Sequence, residues 1–260
     1  MARCSRLNER DMNANSRKLE PELLDELPPD EPRAIQSRLD LQRVHRAMRS
    51  LGILRRLIAA LHGPRTPRRI LELGAGDGSL LLRFARTQHL EWPDVELTLL
   101  DRQSLVTTAT IAAFRGLGWT VHCLTTDVLA WSRQVSKPAS AVPRYDLCLA
   151  SLFLHHFDTS DLALLLRGVA ARSDAFIACE PRRDWVARVG SHLIGLLGVN
   201  SVTRGDAVKS VAAGFRGVEL TQAWRDVNGP ASRVRGNWQL AEFAARPFTH
   251  CFVAERRHER

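Results

Sequence analysis

Only one tyrosine, three methionines and three lysines (Lys18, Lys137 and Lys209) occur in the 260 residues. With so little lysine, the net charge of +9 is carried by arginine, spread from Arg3 to Arg260. A basic chain invites a nucleic-acid reading. No RRM, KH or zinc-finger pattern accompanies the charge, so it reads as solvated surface, and nucleic acid is not an expected partner. The cysteines, Cys4, Cys123, Cys148, Cys179 and Cys251, are odd in number and include no CxxC pair. That argues against a disulfide framework and a zinc site, and for free thiols in a cytoplasmic setting. No metal is expected. No apolar run is long enough to cross a bilayer. The richest stretch, residues 186–199, is interrupted by Arg188, Ser191 and His192. Residues 1–17 are charged and lack the apolar core of a secretory signal. What remains, at 45% hydrophobic and 25% charged residues, is an ordinary globular composition. The length suits one domain with an added cap.

Residues 1–36 are polar, with Pro28, Pro29 and Pro32 and no clean periodicity, and read as a partly mobile arm whose residues 24–34 could still order by packing on the body. From Asp40, the residues Leu41, Val44, Met48, Leu51, Leu54, Ile58 and Leu61 recur at helical spacing, and Gly63-Pro64 closes that helix. Apolar strand-like runs then alternate with helical ones. Strands are expected over residues 69–73, 95–100, 120–124, 145–152 and 175–179, and helices from Ser79, over 105–116 and over 162–171. This alternation predicts an α/β fold, a parallel sheet with helices on both faces. Residues 237–243 and 249–254 close it as an antiparallel pair. Residues 182–235 form an insertion between sheet strands, placed to cap a ligand beyond the strand carboxyl ends. Within it, residues 185–197 are amphipathic (a lid, core, or a membrane-surface helix), then a polar loop precedes residues 208–215. The domain proper is residues 37–260.

The most informative segment is Glu72-Leu-Gly74-Ala75-Gly76-Asp-Gly78, between a strand and a helix. Glycines there permit positive φ and close approach to a ligand. A dinucleotide loop would need a third glycine where this chain has Ser79, and the Lys of a P-loop is absent. A third possibility is S-adenosylmethionine (SAM), which offers a sulfonium, an ammonium and a ribose in place of phosphates. Glu72 suits its cationic end. Asp101, closing the second strand, suits a ribose diol, since a carboxylate accepts from both hydroxyls. Asp127, closing the third strand, suits an adenine amino group. A plain turn for the glycines, and helix capping for Asp101 and Asp127, are the competing readings.

Taken in order, Glu72-x-Gly74-x-Gly76-x-Gly78, Asp101, Thr126-Asp127 and Tyr145-Asp146-Leu147 resemble the Rossmann-like class I SAM-dependent methyltransferases. The resemblance covers residues 69 to about 180 well. The run from Asp146 to Phe157 is similar to the small-molecule branch that includes quinone-type bacterial enzymes, with Ser151 where many carry Asn. Residues 25–30 and the basic helix after them resemble methyltransferases of polyketide or quinone pathways. The Asn-Pro-Pro-Tyr pattern of amino-directed enzymes is absent.

The resemblance implies that Glu72, Gly74, Ala75 and Gly76 contact the methionine half of SAM, with Gly78 shaping the loop and Ser151 near the same moiety. It puts Asp101 on the ribose, Arg102 by the adenine face, and Asp127 and the Val128 backbone on the adenine edge. His155 and His156 follow the fourth strand, where an acceptor would sit. An imidazole there could take a proton from a phenol or enol, or simply shape the pocket. Glu180 could bind substrate or pair with Arg182 or Arg183. The expected activity is methyl transfer to a small, largely apolar acceptor such as a phenolic, quinone-like or polyketide-like hydroxyl. An RNA methyltransferase and a non-catalytic assembly partner are the alternatives.

Overall fold

The structure, a computed structural model, describes residues 16–61, 66–134, 143–229, 237–245 and 247–257. Five strands run parallel: β1 (Arg69–Leu73), β2 (Glu96–Asp101), β3 (Thr120–Thr125), β4 (Tyr145–Ser151) and β5 (Ser173–Pro181). Strand β6 (Trp238–Ala245) pairs with β7 (Thr249–Arg256), and β7 runs antiparallel to β5. The order across the seven-stranded sheet is β3-β2-β1-β4-β5-β7-β6. The central strands are nearly continuous apolar runs because both faces are covered. Alternate residues feed opposite layers: Ile70, Leu97 and Leu149 join one core, and Leu71, Leu100 and Ala150 the other.

Helices α1 (Leu23–Glu26), α2 (Pro32–Ala47) and α3 (Ser50–Ala59) precede the sheet. Helices α4 (Ser79–Gln88) and α5 (Thr108–Arg115) follow β1 and β2 and, with α3, cover the first core face. The second face is covered by α6 (Val128–Arg133), α7 (Thr159–Arg172) and α10 (Glu219–Asn228), whose Trp131, Leu165 and Trp224 are buried there. Helices α8 (Trp185–Leu193) and α9 (Ser201–Ala213) lie between β5 and α10. Among the described residues no helix is long and apolar enough to cross a membrane.

Two expectations are corrected. The helix expected from Asp40 is two helices: α2 starts at Pro32, a residue suited to a first helical turn, and the chain breaks at Arg49, which sits at φ 56°. The Gly63-Pro64 stop lies outside the described residues. The polar loop expected before residue 208 is the first half of α9, capped by the Asn200 side chain, which accepts from the Thr203 N–H at 2.9 Å. The packing open to residues 24–34 is seen, and the arm is built into the body from residue 16 onward. The Leu23 and Leu24 N–H groups donate to Asp206 of α9 at 2.8 and 2.9 Å. Leu27 and Ala34 are buried against Val202. Residues 1–15 of the arm, with Cys4, lie outside the described residues.

Candidate active site

Between β1 and β4 the strand order reverses direction of growth, and a crevice opens beyond the strand carboxyl ends. The glycine loop enters it from β1. Gly74, Gly76 and Gly78 all have positive φ, at 65°, 55° and 72°. At Gly74 a Cβ would fall inside the Phe153 ring, so glycine lets β4's exit loop close on β1's. At Gly76 a Cβ would meet nothing within 4 Å, because this residue faces an open cavity. Gly78 does not line that cavity. A Cβ there would lie 3.1 Å from the Leu99 side chain, so this glycine packs on the core and serves the turn into α4. Ala75 lines the cavity, and its N–H donates to the Leu100 carbonyl at 3.0 Å.

Asp101 ties the loop to β2. One carboxylate oxygen accepts from the Gly76 N–H and the other from the Gln103 N–H, both at 2.9 Å. It does not cap the next helix, a role taken by Thr107. Glu72 is buried on β1, and its Oε2 has no hydrogen-bond partner among the described residues. Burial, then the nearby Asp77 and Asp101, push its carboxyl well above the ordinary range. Asp77 accepts from the Gln42 side chain at 2.9 Å and also lines the cavity. Three carboxyl groups thus converge on one loop, one of them buried with an unpartnered oxygen and resisting ionisation unless a cation comes near. A ligand bearing an ammonium, a sulfonium and vicinal hydroxyls fits this set of acceptors.

Farther along the same wall, Thr126, Asp127 and Val128 line the cavity at the start of α6. Asp127 is the N-cap of that helix, accepting from the Ala130 N–H at 2.8 Å. The capping reading therefore holds for Asp127, through one of its two carboxylate oxygens. Arg102 lines the cavity too, but its guanidinium turns to α1, donating to the Asp25 carbonyl and lying 3.4 Å from the Asp25 carboxylate. Ser151, half-buried, closes β4 beside the glycine loop.

The other end of the cavity is built on a 3-10 turn, Leu154–His156, entered through Leu152 at φ 53°. Glu180, fully buried at the end of β5, holds the turn. Its carboxylate accepts from the N–H groups of Phe153, Leu154 and His155 at 3.1, 2.9 and 3.3 Å. It also meets His155 Nδ1 at 2.8 Å. Glu180 does not line the cavity, and the two arginines have other carboxylate partners: Arg182 pairs with Asp184 at 2.9 Å and Arg183 with Glu219. His155 Nε2 lies 3.3 Å from Glu22 Oε1. Burial alone would lower the His155 pKa, but its bonds to Glu180 and Glu22 outweigh this and raise it to about 9. His156 is pushed the other way, by burial and then by the His155 charge. Its Nδ1 lies 3.4 Å from Asp25 Oδ2. Buried His155 thus favours its charged form, and His156, which reaches the cavity, favours its neutral one. The arm residue Arg17 braces the turn, donating to the His155 and Phe157 carbonyls at 3.1 Å while stacking on Phe215.

Glu22, Asp25, Arg17 and Asp77 are site residues that the sequence did not single out. The glycine loop and the histidine turn open onto one cavity of about 980 Å³, roofed by α1, α2, α8 and α9. Leu24, Met48, Phe153, Ile194, Leu197 and Phe248 give its walls an apolar character.

The sheet order, the single reversed strand β7 and the loop after β1 define the Rossmann-like class I methyltransferase fold. Similar solved structures include an O-methyltransferase family protein from Burkholderia thailandensis, with TM-score 0.52 and 14% identity over 80% of this chain and 57% of that one. Mitomycin 7-O-methyltransferase MmcR is similar at TM-score 0.55 and 16% identity, over 90% of this chain and 60% of that one. The chain thus spans less than two thirds of either protein's length. No protein-family model and no curated protein sequence matches the chain.

Proposed function

We propose that this protein is an S-adenosylmethionine-dependent methyltransferase acting on an oxygen of a small, largely apolar acceptor. A phenolic, quinone-like or polyketide-like hydroxyl fits best, in a cytoplasmic setting. The observation that carries the reading is that Glu72, Asp77 and Asp101 share one cavity with the His155–His156 pair. When bound, SAM supplies a methyl group on a positively charged sulfur. Glu72, Gly74, Ala75 and Gly76, with Ser151, hold the methionine half. Asp101 accepts from the ribose hydroxyls while keeping its bond to the Gly76 N–H. Arg102, Asp127 and Val128 border the adenine end. The neutral His156 receives the acceptor's hydroxyl proton, and His155, fixed by Glu180 and Glu22, positions it. The apolar roof excludes water and holds the two reactants in line, which is the larger part of the rate gain in a displacement of this kind.

The test is titration calorimetry of SAM against the full chain, with Asp101→Ala as the comparison and circular dichroism to verify folding. Binding that weakens at least tenfold in the variant supports the reading. Methyl transfer from labelled SAM to a panel of phenols and hydroxyquinones then follows. A folded chain that binds no SAM overturns the proposal.

A further inference from the structure

We propose that Glu22, His155 and His156 form a binding site for one divalent transition-metal ion, set in the cavity wall where the acceptor's oxygen would lie. This deepens the methyltransferase reading and, as to its role, rests on it; as a binding site it stands by itself. One potential ligand atom from each residue lies within 4.8 Å of the other two, the only such group found among the described residues.

The spacing fits a metal. Bonds of about 2.0–2.1 Å in tetrahedral geometry put neighbouring ligand atoms roughly 3.3 Å apart. His155 Nε2 and Glu22 Oε1 are 3.3 Å apart. The third ligand atom, on the half-buried His156 ring, lies within 4.8 Å of both. The surroundings fit as well. A carboxylate can only accept, so Glu180 at 2.8 Å takes the Nδ1–H of His155 and leaves Nε2 directed at Glu22. A buried carboxylate that fixes the far nitrogen of a histidine is the usual outer support of a metal ligand. Glu180 is itself locked by three backbone N–H groups, and Glu22 is held by the Ser210 hydroxyl, so the ligands are aimed before any ion arrives.

Two imidazoles and one carboxylate select zinc, cobalt, iron or nickel over magnesium or calcium, which prefer oxygen. Three protein ligands leave at least one position open toward the cavity. Uptake of the ion displaces the proton from His155 Nε2. An acceptor hydroxyl in the open position loses its proton more readily beside the ion. That proton leaves through Asp25, 3.4 Å from His156 and partly exposed, to solvent. The oxygen's electron pair then forms the new bond to the methyl carbon, and the pair of the broken carbon–sulfur bond stays on sulfur as a neutral thioether. Activation by the ion replaces direct proton transfer to His156. It favours acceptors with a second oxygen next to the hydroxyl, which can share the ion.

The experiment loads the metal-free full chain with Co²⁺, which reports tetrahedral coordination by its visible bands, and repeats the titration with Zn²⁺ as competitor. Wild type is expected to bind one ion per chain. Glu22→Gln and His156→Ala are expected to weaken binding by roughly tenfold or more, at least what loss of an outer support costs, while His122→Ala, an exposed histidine on β3, leaves it unchanged. No Co²⁺ or Zn²⁺ binding by a sample that binds SAM overturns the metal site and leaves the methyltransferase reading standing. Binding that survives Glu22→Gln, or falls equally in His122→Ala, overturns it as surface adsorption. Methyl transfer that persists undiminished under a chelator overturns the proposed role in activation. Metal binding without SAM binding overturns the methyltransferase reading and keeps the site.

Discussion

Glu72→Gln separates binding of a cationic cofactor from maintenance of the fold. Glu72 is buried, its Oε2 lacks a partner among the described residues, and burial with the nearby Asp77 and Asp101 raises its pKa well above the usual carboxyl value. In the ligand-free chain this carboxyl is therefore a liability. A group whose folded pKa is raised contributes its stability below the unfolded value and loses it as pH rises toward the folded one. Wild type should therefore lose stability above the ordinary glutamate range, near 4.5, up to the raised folded value. The near-isosteric amide removes that ionisation. The variant should be more stable than wild type at neutral pH, because the amide has no buried ionisation to suppress. A bound cation reverses the balance, because it favours the ionised carboxylate. Losing a hydrogen bond to a charged group, about 1.5–3 kcal/mol, weakens SAM binding roughly ten- to a hundredfold. Wild-type affinity should also rise with pH as Glu72 ionises, and that slope should flatten in the variant. Urea denaturation measures the first effect and calorimetry at several pH values the second. A variant that is less stable and binds SAM as tightly as wild type would refute the assignment of Glu72 to the cationic end.

Three further substitutions probe the frame around the site. Glu180→Gln leaves a buried imidazolium and three backbone donors facing one carbonyl oxygen. Breaking one side of a buried charge pair costs about 3–5 kcal/mol, and a loss under about 1 kcal/mol in denaturant unfolding would show that the turn is held by something else. Gly74→Ala drives a methyl group into the Phe153 ring at a positive φ, so it should cost about 1–3 kcal/mol and lower SAM affinity, read by thermal unfolding and calorimetry. Glu242, which does not line the cavity, accepts from the Leu220 and Thr221 N–H groups at 3.0 and 2.7 Å and meets His250 at 2.7 Å. Burial alone would raise its pKa, but these partners outweigh it and depress it. Its contribution is present above the unfolded value, near 4.5, and is lost as pH falls through the folded one. Glu242→Gln should therefore destabilise the chain at pH 7, flatten its acid unfolding, and leave SAM affinity unchanged.

What could be read from the sequence follows from how local each cause is. Strands β1, β2 and β4 announce themselves because a two-sided parallel strand must be apolar throughout. The glycine loop and Asp101 are legible because a close ligand approach and a strand-end carboxylate leave marks within about thirty residues of each other. The histidine turn is legible as a position and not as a structure. Its partners, Glu22 and Glu180, stand 133 and 25 residues from His155. Helix α9 escapes for a related reason. Its inner face buries Thr203 and Asp206 beside Val202, so it carries no apolar stripe. Those polar residues are not surface residues: Thr203 bonds Ser37 at 2.6 Å, and Asp206 caps α1. They are the contacts that dock the arm over the cavity, and so bring Glu22 and Asp25 to the histidines. The features hardest to read from the sequence are therefore the ones that complete the acceptor end. The cofactor end is encoded by a contiguous loop, whereas the acceptor end exists only once the arm and the insertion have folded against each other. Substitutions at Ser37 or Asp206, distant from the chemistry in sequence, should accordingly disturb acceptor activation before they disturb cofactor binding.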